Sequence, residues 1–131
     1  MTEQSYRSPC PCCGHLVHND RPGSFLICPV CFWEDDQVQL RWPFYRGGAN
    51  KPPLIEAQQN YRNLGVSETR FADKVRSPSR NEPLDPGFRP IDISVDSFEE
   101  TSVQEELWPE DRSVLYWWRP TFWRRSQGEA Q

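Results

Sequence analysis

All five cysteines of the chain fall between Cys10 and Cys31, and four of them form two C-x2-C pairs, Cys10/Cys13 and Cys28/Cys31, with fourteen residues between the pairs. Two such pairs are the ligand pattern of a four-cysteine structural zinc site. Zinc takes four soft donors in a tetrahedron at about 2.3 Å, and each C-x2-C turn delivers two sulfurs to one side of it. The expectation is one structural Zn2+ held by Cys10, Cys13, Cys28 and Cys31. Pro11 and Pro29 each follow the first cysteine of a pair and stiffen the turn. Gly14 follows the second ligand of the first pair, where glycine tolerates the positive φ that the turn needs. The segment between the pairs reads as a β-hairpin, with strands over 15–18 and 24–27 and a turn-rich stretch over 19–23.

An odd cysteine count and an N-terminus without an apolar run argue against a disulfide framework and a secretory signal, so the expected compartment is the cytoplasm. Cys12 is the spare thiol, because using it as a ligand would leave a C-x-C bite. It reads either as a reactive thiol beside the metal or as a small packed side chain, and the second reading is preferred. His15 and His18 could ligate, but with four cysteines present they read as strand or surface residues. Four thiolates close the coordination sphere, which excludes hydrolytic zinc chemistry of the open-site kind.

The run from Ser8 to Gly14, the run from Ile27 to Asp36, and the segments Val38–Leu40, Arg46–Lys51 and Glu56–Gly65 resemble the bacterial cysteine-rich CPCC family. The resemblance covers about residues 8–80. It implies zinc binding and a small bacterial, cytoplasmic protein. Occurrence of some members near toxin genes implies, by association, an immunity role. The chain departs from the family pattern at Pro52-Pro53, where a Ser-like cap is more usual.

Residues 53–64 carry the clearest helix, with Leu54, Ala57, Gln58, Tyr61 and Leu64 on one face and Gly65 at its end. A second helix is expected over 67–75, capped by Ser67, with Phe71, Ala72 and Val75 inward. The stretch 41–50 reads as a loop, its Gly47-Gly48 pair a close backbone approach. Four prolines between 77 and 90 mark a boundary between a module over 1–80 and an extension over 81–131 packed on the same core. Alternation over 91–96 and the apolar run 113–118 predict two strands there. The expected fold is therefore α+β: a small zinc ribbon, a β-hairpin with two C-x2-C knuckles, packed with two short helices and followed by a β-containing extension.

Thirteen prolines and a mean hydropathy of −0.82 exclude long helices over much of the chain and any run of about 18 apolar residues that would span a membrane. Fifteen basic against 19 acidic residues give a net charge of −4, and four zinc-bound thiolates would lower it further. No half of the chain is basic, which disfavours nucleic-acid binding by phosphate neutralisation. The preferred function is a non-enzymatic, zinc-stabilised protein-binding module, with a toxin as one form of partner. The expected contact face is acidic, either Glu34, Asp35 and Asp36 or Glu105, Glu106, Glu110 and Asp111. The aromatic and basic C-terminal segment, with Trp117, Trp123, Arg124 and Arg125, supplies the alternatives: interface anchors, or a platform for single-stranded nucleic acid. Six tryptophans in so small a chain predict at least one left exposed or in an interface. No Ser-His-Asp, HExxH or nucleotide-binding signature is present, and no enzyme is expected.

Overall fold

The computed structural model describes residues 7–124. Two short antiparallel strands, β1 (Ser8–Pro9) and β2 (Leu16–His18), flank the first C-x2-C turn, with Ser8 opposite His18 and Pro9 opposite Leu16. Helix α1 (Gln37–Arg41) follows the second turn, and α2 (Leu54–Leu64) is the longest element. Two 3-10 turns, Thr69–Lys74 and Arg112–Leu115, complete the regular structure. The architecture is small α+β, and no described helix is long and apolar enough to cross a membrane.

The expected hairpin between 15–18 and 24–27 does not form. Each C-x2-C turn instead closes its own tight loop. Cys10 N–H donates to the His15 carbonyl at 3.0 Å, and Gly14 N–H donates to the Cys10 carbonyl at 2.7 Å. The second turn repeats this, with Cys28 N–H on the Trp33 carbonyl at 2.9 Å and Phe32 N–H on the Cys28 carbonyl at 2.8 Å. Residues 24–27 therefore pair with the segment after their own cysteines, where Ile27 bridges Glu34. The physical reason is the knuckle itself: the hydrogen bonds that close Cys28–Trp33 lay Phe25 and Leu26 beside Asp35, whose backbone takes up their N–H and C=O. β2 finds its other neighbour far along the chain, through Leu16 N–H on the Pro83 carbonyl at 2.8 Å and a bridge from His15 to Leu84.

The short helix α1 is absent from the sequence reading. Asp36 caps it, its carboxylate accepting from Val38 N–H at 2.8 Å. Its fourth residue, Leu40, is fully buried. Helix α2 matches expectation: Leu54, Ala57 and Gln58 enter the core, Tyr61 packs against it, and Gly65 stops the helix in a left-handed conformation. Leu64 departs from that face at 56% exposure. The helix expected over 67–75 is reduced to the kinked 3-10 turn at Thr69–Lys74, with no buried residue and Glu68 rather than Ser67 at its start. With no apolar face to bury, the segment has little to drive a longer helix.

The β-containing extension is also corrected. No strand lies beyond β2 among the described residues. The alternation at 91–96 comes from a turn: Asp92 accepts from Ser94 N–H, Asp96 accepts from Asp92 N–H, and Ile93 and Val95 point outward at 71% and 65% exposure. The 113–118 run begins as the Arg112–Leu115 3-10 turn, capped by Asp111. Leu115, Tyr116, Trp117 and Trp118 are then all buried, in contact with the cysteine cluster, Trp33, Leu40 and Leu54 as one core. An irregular chain buries successive side chains on different sides, which a strand of period two cannot do. None of the six tryptophans is exposed: Trp33, Trp42, Trp117 and Trp118 are buried, and Trp108 and Trp123 are half-buried.

Candidate metal centre

The two knuckles bring Cys10, Cys13, Cys28 and Cys31 together with their sulfur atoms all within 4.8 Å of one another. The Cys10 and Cys31 sulfurs are 3.5 Å apart, and those of Cys13 and Cys28 are 3.7 Å apart. All four residues are at most 2% exposed, and none is in a disulfide. Each pair thus contributes one sulfur to each close contact across the cluster, so the two knuckles face each other. Such a group can hold a metal ion.

Local structure explains the placement. In each knuckle the residue after the second cysteine must turn left: Gly14 has φ +84° and Phe32 has φ +71°. Gly14 is further constrained because a Cβ there would lie 2.3 Å from the Phe88 ring. Val30 N–H points at the Cys28 sulfur at 3.3 Å, supplying a backbone dipole to a thiolate. Burial pushes the Cys10 and Cys31 thiols well above the ordinary range, while the thiols of Cys10, Cys13 and Cys31 converging on Cys28 pull that one down. A buried cluster of this kind is mostly protonated until a cation replaces its protons. Tyr61 lies within the same field. Its hydroxyl is pushed up to about 12, by burial first and then by the cysteine charges.

Around the centre, Gln58 joins three parts of the chain. Its amide nitrogen donates to the Pro11 carbonyl at 2.9 Å, and its oxygen accepts from Ile91 N–H at 3.0 Å. Tyr116 donates its hydroxyl to the Pro9 carbonyl at 3.0 Å. Residues 83–124 therefore buttress the first knuckle directly.

The other sequence-chosen residues have internal partners. Asp35 is 1% exposed and accepts from Gly23 N–H, Ser24 N–H and the Ser24 hydroxyl, each at 3.0 Å. Asp36 is 4% exposed and, besides capping α1, accepts from Ala49 N–H at 2.8 Å. Gly48 has no room for a Cβ, which would meet Asp36 and Gln39 at 2.6 Å. Glu34 is half-buried and pairs its backbone with the Asn50 amide. The carboxylates of Asp35 and Asp36 thus fix backbone amides inside the fold, and neither is open to a partner. Trp117 is 0% exposed and donates to the Arg89 carbonyl at 3.0 Å. Trp123 stacks on the Arg41 guanidinium at 4.7 Å, and Arg124 is 8% exposed beside Glu105 and Ser97. Arg125 lies outside the described residues. His15 donates through Nδ1 to the Glu82 carbonyl at 2.7 Å, His18 is buried in β2, and neither joins the sulfur cluster. Cys12 is 3% exposed in the core.

One feature had no sequence signal. Arg41 and Glu99, fifty-eight positions apart, form a doubly hydrogen-bonded ion pair at 2.6 and 2.9 Å with both side chains at 0% exposure. Trp42, Trp108 and Trp123 surround the guanidinium at 4.7 to 4.9 Å. Of the aromatics that suggested a base-stacking platform, Trp123 packs here and Trp117 lies in the core beside Phe88 and Trp118.

Two facing knuckles, a buried four-cysteine cluster and a helix packed against it define a small cysteine-rich protein whose cluster could hold a metal ion. The chain belongs to the family described as cysteine-rich CPCC, whose model matches residues 8–82. No curated protein matches it.

Proposed function

We propose that the chain is a non-enzymatic protein-binding module whose knuckles are held by one structural zinc ion. The observation that carries the metal part is the sulfur geometry. Four thiolates about 2.3 Å from a zinc ion stand about 3.8 Å apart along the edges of a tetrahedron. The two sulfur contacts of 3.5 and 3.7 Å fit that spacing. Four thiolates suit zinc better than harder cations, and burial on every side leaves no position for a substrate. Bound there, zinc would supply cross-linking of two loops that otherwise share few backbone hydrogen bonds.

The binding surface is the outer edge of the second knuckle. Phe25, Leu26 and Ile27 are consecutive and 47%, 42% and 48% exposed. Asp35 N–H reaches the Leu26 carbonyl and Cys28 N–H reaches the Trp33 carbonyl, so Ile27 faces Glu34 as a non-hydrogen-bonded pair. The Ile27 N–H and C=O therefore point away from that neighbour, toward an open edge. An apolar, open edge of this kind suits an added strand of a partner protein. Occlusion of a toxin is the form of this function that the family resemblance implies.

The test is affinity purification of the tagged chain, with nuclease, followed by mass spectrometry. A stoichiometric protein lost on Leu26→Lys supports the reading. Nuclease-sensitive RNA or DNA with no protein overturns it.

A further inference from the structure

We infer that the cleft between the β1 end of the first knuckle and the Arg112–Leu115 turn is a binding site for a small phosphate-bearing anion. The cleft has a volume of about 780 Å³, and Arg7, Arg21, Arg112 and Arg119 line it together with Glu110 and Asp111. With Arg119 paired to Asp85, the basic character of the cleft rests on Arg7 and Arg112, in a chain whose net charge is −4.

How the arginines are held gives the argument its weight. The Arg7 guanidinium donates through Nη2 to the carbonyls of Leu16 and Asn81, both neutral acceptors. Arg112 donates through Nε to the Gln37 amide oxygen at 2.9 Å and through Nη1 to the Pro109 carbonyl, and its plane lies 4.8 Å over Trp108. Neither has a carboxylate partner among the described residues, so two full charges are positioned without being neutralised. Arg119 is fixed differently, by a bidentate pair with Asp85 at 2.8 and 3.0 Å. Asp111 is engaged as the cap of the Arg112–Leu115 turn, accepting from the Ser113 backbone and hydroxyl. Guanidiniums already ordered by other contacts lose little entropy on taking a ligand. They come from three separate segments of the chain. A tetrahedral oxyanion accepts donors from several directions, whereas a carboxylate accepts mainly in one plane. The cleft is large enough for a phosphate monoester of nucleotide size.

The cleft also spans the family-matched residues 8–82 and the segment beyond them. A ligand there would clamp the two together and raise the melting temperature of the chain.

The experiment uses the zinc-loaded full chain at constant low ionic strength. Backbone and arginine Nε–H NMR shifts are followed against inorganic phosphate, adenosine monophosphate and malonate, each to about 20 mM. Saturable shifts at Arg7, Arg112 and their neighbours with either phosphate compound are expected, with malonate weaker. Tighter binding of the monophosphate names an organic phosphate as the source; equal binding names the free oxyanion. Arg7→Gln and Arg112→Gln should each weaken binding about fivefold or more while the spectrum stays folded. Arg7 is exposed, so its variant keeps the test intact if Arg112→Gln fails to fold. No saturable shift, malonate binding as tightly as phosphate, or an affinity unchanged in Arg7→Gln would each overturn the inference.

Discussion

Cys12 occupies in the first knuckle the place that Val30 occupies in the second. Each follows the proline after the first cysteine and precedes the second cysteine, and they are 3% and 2% exposed. The two backbone hydrogen bonds that close each knuckle correspond, from Cys10 to His15 and from Cys28 to Trp33. A valine can play no ligand role, so the position asks for a small apolar side chain.

Cys12→Val should therefore keep one metal per chain and change stability by less than about 1.5 kcal/mol. Cys13→Ser should abolish stoichiometric metal. Elemental analysis of both purified variants checks this, and loss of metal in Cys12→Val would assign that thiol to the site.

Metal loading should release protons. Thiols are mostly protonated at neutral pH without a metal and bind it as thiolates, so loading a four-cysteine site gives up most of four protons per ion. Affinity consequently falls as pH falls. Calorimetry in buffers of different ionisation enthalpy measures the number. Release near zero would mean that the thiols are not the ligands.

The buried Arg41–Glu99 pair should be costly to break and cheap to remove whole. Glu99→Leu leaves the guanidinium uncompensated among three tryptophans, an expected loss of about 3 to 5 kcal/mol. Arg41→Leu with Glu99→Leu should cost less than Glu99→Leu alone, as read from denaturant unfolding. The pH dependence follows from sign. Arg41 holds the Glu99 carboxyl below its ordinary range. Its contribution is thus complete above the unfolded value of about 4.3 and is lost as pH falls through the folded one. The stability gap between wild type and Glu99→Gln should narrow below about pH 4.

Gln58→Leu strands the Pro11 carbonyl and the Ile91 N–H inside the core. A loss of about 2 to 4 kcal/mol is expected from two unsatisfied groups. Unfolding midpoints decide it; a change under about 0.5 kcal/mol would mean that water replaces the amide.

The cysteine cluster was legible because the chemistry dictates both residue type and spacing, and Gly14 because the turn after the second cysteine needs a positive φ; the approach of Phe88, seventy-four positions away, left no local signal. Helix α2 was legible from its three- and four-residue periodicity. The hairpin was misplaced because strand-like composition at 15–18 and 24–27 says nothing of which neighbour each segment takes. Helix α1, with five residues, is too short to show a period. Asp92, Ser94 and Asp96 imitate the polar face of a strand while serving as turn acceptors. Tyr116, Trp117 and Trp118 show only that large area must be buried; that all three are covered at once depends on Phe88, Pro9 and Asp85, which are distant in sequence.

Stripping the metal from the folded chain with a strong chelator, followed by circular dichroism and amide NMR dispersion, tests the structural role of the site. Loss of dispersion across residues 8–35, restored by one equivalent of zinc, is the expected result. Complete removal of the metal with both spectra unchanged would contradict it.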